Sequence, residues 1–159
     1  MDRITATAED TRALGAAIAD LLAPGDLVSF TGEPGAGKTT FVQGVARGLG
    51  VTAPVVSPTF TLIREYDGRM HLFHLDVYRL TRIQDVIDLG FEEMVDGDGV
   101  TLIEWGDAIE RLLREDFLQV DLTVPGEGSE DRLIRLLPTG PGWVDRELAL
   151  DEATARWSA

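Results

Sequence analysis

The sequence predicts an α/β domain of three layers, with a mixed, mainly parallel central sheet and a β-hairpin extension. Three observations predict it. A short, β-rich apolar segment over 27–31 runs straight into a glycine-rich turn and then a helical pattern over 38–49, the strand–turn–helix step of a parallel sheet. A second, uniformly apolar segment over 100–103 ends in the carboxylate Glu104. Between them, strand-like segments over 60–66 and 70–78 meet at Asp67-Gly68, a strong hairpin signal.

Each element has its own warrant. Residues 4–6 suit a short edge strand. Thr7 then serves as an N-cap, with Asp10 reaching back, and Leu14, Ile18, Leu21 and Leu22 follow at helical spacing until Pro24-Gly25 stops them. Gly48 and Gly50 end the helix over 38–49. Prolines make 54–59 a loop. A short helix over 81–89 stops at Gly90, 95–99 is a loop, and 107–114 continues as a helix. Segments 117–124 and 132–137 are two more strands, joined by a Pro/Gly/Glu turn. Residues 144–157 read as one closing helix. The 159 residues fit one domain, 1–159, with its core over about 7–137.

Composition narrows the class. No apolar run reaches the roughly 18 residues of a membrane span, and the N-terminus lacks a signal pattern, so a cytoplasmic protein without membrane attachment is expected. Cysteine is absent, which removes disulfides and thiolate catalysis. A formal net charge of −14 makes a poor binder of nucleic acid. No direct DNA contact is expected, and any RNA contact would go through a basic partner.

The chemistry concentrates at Gly32-Glu33-Pro34-Gly35-Ala36-Gly37-Lys38-Thr39. This matches the phosphate-binding loop G-x-x-x-x-G-K-[ST], and makes the expected domain P-loop NTPase-like. Lys38 is the chain's one lysine among 14 lysines and arginines. A compact ammonium is what such a loop needs, and arginine's planar fork does not replace it. The loop over 33–40 (Glu33, Pro34, Gly35, Ala36, Gly37, Lys38, Thr39 and Thr40) would surround phosphate oxygens with the main-chain N–H groups it carries. Lys38 would reach the β- and γ-phosphates, and the Thr39 hydroxyl would ligate Mg²⁺. An acidic partner at a strand end is also needed. Asp76 and Glu104 compete for it. The more uniformly apolar strand favours Glu104 for the metal, leaving Asp76 to orient or polarise a water. Thr59 in Ser57-Pro58-Thr59 offers a hydroxyl to the metal or γ-phosphate. Trp105 reads first as packing, His74 as a locally satisfied histidine, and Arg79 and Arg132 as surface arginines with a possible phosphate or adenine role.

In this order, Gly32 to Thr40, Ser57-Pro58-Thr59-Phe60-Thr61-Leu62, His74-Leu75-Asp76-Val77-Tyr78-Arg79-Leu80 and Glu104-Trp105 resemble the TsaE family. The resemblance implies a slow, Mg²⁺-dependent ATPase supporting threonylcarbamoyladenosine modification of tRNA next to the anticodon. It implies action on a TsaD–TsaB complex, with tRNA met only through those partners. It sets metal ligands on Thr39 and Glu104, a second essential carboxylate on Asp76, a Walker loop on 33–40, an adenine contact near Thr7 or Ala8, and an ATP-contacting arginine near Arg132.

A small-molecule P-loop kinase is the alternative, but no arginine-bearing lid is evident unless Arg111 and Arg114 supply it. A GTPase is excluded, because its Asn-Lys-x-Asp guanine reader needs a second lysine. A nucleotide sensor that binds without turnover is disfavoured by the two carboxylates.

Overall fold

The computed structural model describes residues 1–58, 61–80 and 82–159, with 106–108 as backbone only. Seven strands form one sheet: β1 (Asp2–Thr5), β2 (Leu27–Thr31), β3 (Ile63–Asp67), β4 (His71–Asp76), β5 (Val100–Glu104), β6 (Phe117–Thr123) and β7 (Arg132–Thr139). Their spatial order is β1-β7-β6-β2-β5-β4-β3. The central strands β6, β2, β5 and β4 pair in parallel, while β3, β7 and β1 are added antiparallel to their neighbours. The mixed, mainly parallel sheet and its hairpin extension are therefore as the sequence predicts.

One face is covered by α1 (Ala8–Ala19), α2 (Lys38–Gly48) and the C-terminal segment, around a core of Leu14, Ile18, Phe41, Val45, Phe30, Leu102, Trp143 and Leu150. The other carries α3 (Ile83–Asp88), α4 (Phe91–Asp96) and a 3₁₀ turn, Gly106–Leu112, over Leu27, Leu75, Ile103, Val86 and Phe91. This second layer sits over β2, β5 and β4. Toward β7 and β1 the face is open, which leaves Ile4 and Leu137 exposed.

The start of α1 follows the capping prediction. The Asp10 amide donates to Thr7 Oγ1 at 3.0 Å, and Asp10 Oδ2 accepts from the Ala6 amide at 3.0 Å. Helices α1 and α2 then pack backbone to backbone: a Cβ on Gly44 would run into the Arg12 carbonyl. This close approach fixes the direction in which α2 leaves the glycine turn.

Three expectations change. The helix over 107–114 is the 3₁₀ turn Gly106–Leu112, broken at Ile109 (φ −125°, ψ 28°). Ile109 and Leu112 are three apart, a spacing that 3₁₀ geometry stacks on one side. The closing helix is instead α5 (Pro141–Val144), α6 (Glu147–Thr154) and a 3₁₀ turn, Ala155–Trp157. Arg146 makes the break: it donates to both Asp26 carboxylate oxygens at 2.6 and 2.9 Å and to the Leu21 carbonyl, while Trp143 and Leu150 are fully buried on either side. Helix α4 occupies part of an expected loop. Gly90, in the left-handed region at φ 84°, ends one helix and starts the next. Strand ends shift by up to three residues, and residue 60, the expected start of β3, lies outside the described residues.

Candidate functional site

The glycine turn joins the end of β2 to the first residue of α2. Gly32, Gly35 and Gly37 have φ of 143°, 83° and 105°, open to glycine and strained for other residues. Gly32 also needs its lack of a side chain, because a Cβ there would collide with the Leu122 carbonyl; around Gly35 there is only open space. The Ala36 amide donates to the Glu33 carbonyl at 3.0 Å, and buried Ala36 anchors the turn. The N-cap of α2 is Gly37, which has no side chain to cap the helix. Its first amides therefore face the turn, with the positive end of the helix dipole behind them.

Lys38 is 6% exposed and folds back over the turn. Its Nζ donates to the Gly32 and Glu33 carbonyls at 2.6 and 3.2 Å and lies 3.9 Å from the centre of the Trp105 ring. Trp105 is held in the left-handed region at φ 67°, its amide donates to the Phe30 carbonyl at 2.7 Å, and Tyr78 packs on its ring at 4.6 Å. Sequence reasoning ranked Trp105 as packing. It does pack, but on the lysine of the site.

Glu104 ends β5 beside the end of β2, and Asp76 ends β4 directly opposite Glu104. The parallel register thus brings both carboxylates to the end of the sheet that carries the glycine turn, where α/β sheets bind ligands. Glu104 is 3% exposed and accepts twice: Oε1 from Thr39 Oγ1 at 2.8 Å, and Oε2 from His74 Nε2 at 2.8 Å. Asp76 is 6% exposed; its Oδ2 accepts from Ser57 Oγ at 3.1 Å and its Oδ1 from the Tyr78 amide at 3.0 Å. Lys38, Thr39, Asp76 and Glu104 are thereby gathered as one group. Thr59 lies outside the described residues, although its neighbour Ser57 reaches Asp76.

Arg132 and Thr40 meet on the other side of the turn. With Ala8, Thr11, Gly35, Gly37 and Glu130 they line a small cleft of about 90 Å³. Arg132 Nη1 donates to the carbonyls of Ser129, Glu130 and Asp131, and Nη2 to that of Gly35 at 3.4 Å. Ala8, expected near an adenine, lines this cleft, whereas Thr7 caps α1. Glu33 and Pro34 are exposed at the tip of the turn, as is Arg79 on its own loop. Of the arginines a kinase lid would need, Arg114 pairs with Asp96 and Arg111 is exposed.

A larger cleft, about 640 Å³, opens at the opposite ends of the strands between Pro24, Met70, Phe73, Met94 and Gly99. Its basic groups are already engaged: Arg69 with the Ala19 and Gly48 carbonyls, His71 with Glu65 and Asp67. The convergent donors and carboxylates lie around the glycine turn, so the chemistry is assigned there despite its smaller volume.

The residues present fit a phosphate chain with a hard divalent cation. The helix start at Gly37 and the Lys38 ammonium would face such an anion, and the paired Thr39 hydroxyl and Glu104 carboxylate are oxygen donors of the kind magnesium prefers. Among the described residues no set of three or more His, Asp or Glu side chains is grouped to hold a metal ion by itself. No helix among them is long and apolar enough to cross a membrane.

Comparison with known proteins covers most of the chain. A family model described as "Threonylcarbamoyl adenosine biosynthesis protein TsaE" matches residues 5–133. The tRNA threonylcarbamoyladenosine biosynthesis protein TsaE of Treponema pallidum is 41% identical over 128 residues, 80% of this chain and 95% of its own. The protein of the same name from Bacillus subtilis is 42% identical over 137 residues, 86% of this chain and 84% of its own. The crystal structure of Bacillus subtilis YdiB superposes with a TM-score of 0.79 at 36% identity, covering 98% of this chain and 94% of that one.

Proposed function

The chain belongs to the TsaE family of tRNA threonylcarbamoyladenosine biosynthesis proteins, and from that premise we propose that it is an ATP-binding, Mg²⁺-dependent ATPase of low intrinsic activity serving the modification next to the anticodon. The observation that carries the reading is the Thr39–Glu104 pair set behind an uncapped helix start, with Lys38 folded across the same turn.

The amides over 33–40 bind the phosphate chain. Lys38 exchanges its carbonyl partners for β- and γ-phosphate oxygens, where a point charge stabilises what develops during transfer. Thr39 and Glu104 hold the magnesium ion, which when bound neutralises charge on the phosphate oxygens. Asp76 orients a water and takes up its proton at the carboxylate. Ser57 and the Tyr78 amide fix the plane of that carboxylate. Arg132 and the Ala8 side of the small cleft accept the far end of the nucleotide. Trp105 excludes water from the lysine.

The acidity of the chain supports a subunit that leaves tRNA to others, and a TsaD–TsaB complex is the partner it serves. The test is phosphate release from ATP with Mg²⁺, for wild type and Lys38→Ala, alone and with TsaD–TsaB. Release should rise when the pair is present, and should fall at least about a hundredfold in the variant, as when an electrostatic donor is removed from a transition state. Unchanged turnover in Lys38→Ala overturns the assignment. Transfer of phosphate to an added metabolite would make the protein a kinase.

A further inference from the structure

His74 is the feature that the ATPase reading leaves unexplained. It lies on β4 between Leu72 and Leu75, is fully buried, and its register partner on β5 is Leu102. A leucine would suit that position. Instead an imidazole sits there with its Nδ1 buried and without a hydrogen-bond partner among the described residues. Leaving a buried polar atom unpaired costs stability, so the other ring nitrogen needs a reason to be there.

That reason is Glu104. A carboxylate oxygen is an acceptor, so the proton of the 2.8 Å contact is assigned to His74 Nε2, donating to Glu104 Oε2. The same carboxylate turns Oε1 to Thr39 Oγ1 at 2.8 Å. Without the imidazole, the terminal torsion of Glu104 is broad and the carboxylate plane is free to rotate. With it, the plane is fixed and one oxygen is committed to the Thr39 side. His74, Glu104 and Thr39 thus form a line from β4 through β5 to the first turn of α2.

We infer that His74 is a positioning residue for Glu104: its Nε2–H holds one carboxylate oxygen so that the other is presented, with the Thr39 hydroxyl, to the cation. The inference rests on the magnesium–ATP reading above. A buried partner that orients a metal ligand is worth about 10- to 100-fold in metal affinity in other sites.

The test has two arms. The first needs no nucleotide. Nitrogen NMR of the free protein should find the His74 proton on Nε2 and slow to exchange, and Glu104→Ala should abolish that slow exchange. A proton on Nδ1 alone overturns the proposal. The second measures binding of a non-hydrolysable ATP analogue by calorimetry, in EDTA and in Mg²⁺. His74→Leu should lose about tenfold or more of the magnesium-dependent gain in affinity, while His74→Gln, whose amide can still donate, should recover most of it. A His74→Leu protein that keeps the full gain overturns the proposal. So does one in which affinity in EDTA and melting temperature fall together without rescue by glutamine, since that is a packing role. A wild type with no gain from magnesium would overturn the magnesium–ATP reading itself, and this inference with it. Failure confined to the His74 variants leaves that reading standing.

Discussion

Strand β4 carries two histidines three residues apart, and both hydrogen-bond to carboxylates, yet they do different work. His71 lies near the strand's start, 38% exposed at the side chain, with Nδ1 at 2.8 Å from Asp67 and Nε2 at 2.9 Å from Glu65. Both partners come from the adjoining strand of the hairpin. His74, an odd number of residues on, points to the opposite face and is fully buried against Glu104, which reaches α2 through Thr39. The chemistry of the two contacts is the same. Burial and connection decide that one trims a hairpin while the other is built into the site.

Cutting each contact from the carboxylate side should separate them most. Glu104→Ala should remove most magnesium-dependent nucleotide binding. It should also lower unfolding free energy by about 1–3 kcal/mol, because the His74 donor and the Thr39 hydroxyl lose their buried acceptor. Glu65→Ala, the matching cut at the surface, should cost under about 1 kcal/mol and leave nucleotide binding alone. Urea unfolding and calorimetry on both variants check this. Equal losses would mean that burial is not what distinguishes the two histidines.

The second carboxylate sharpens the contrast within the site. Asp76 is as buried as Lys38, and its carboxylate accepts from a loop hydroxyl, Ser57 Oγ, and from the Tyr78 backbone amide, beside the water-orienting position assigned to it. Asp76→Ala should therefore lower turnover by about 10² or more, as removal of a proton acceptor does, with a smaller change in the magnesium dependence of binding. A larger shift in magnesium dependence than in turnover would exchange the roles of Asp76 and Glu104.

Much of this was legible beforehand, for physical reasons that differ by residue. The phosphate loop declares itself through spacing, because glycine torsions and one ammonium leave few alternatives. The apolar run over 100–103 marked β5 as a doubly buried strand, so a carboxylate at its end had to face the ligand side of a parallel sheet. The break in the closing helix was hidden, since Arg146 is ordinary in sequence and becomes decisive only when Asp26 stands opposite it. The same holds for His74 and Trp105. One residue's hydrogen-bond partner 30 positions away, and another's stacking on a lysine, are tertiary facts with no local period. The histidine in an otherwise apolar strand was the available signal, and only a missing apolar neighbour would have strengthened it.

The smallest effect expected is the pH dependence of the surface cluster. Hydrogen bonds donated to Glu65, then to Asp67, raise the His71 pKa above its ordinary value of 6.5, because they favour the charged ring. The sign follows from linkage. A group whose folded pKa is raised contributes fully below its unfolded value, and loses that contribution as pH climbs through the folded one. The stability difference between wild type and His71→Gln should thus be greatest below about pH 6.5 and fade above the raised pKa. Its ceiling is low, since Asp67 is 93% exposed and solvent screens the pair: under about 1 kcal/mol, and less again in high salt. Urea midpoints across pH, paired with hydrogen exchange of the β3 and β4 amides, would register it. A difference that grows with rising pH would show that His71 is held as a neutral ring, and that the exposed histidine is governed by something other than its two carboxylates.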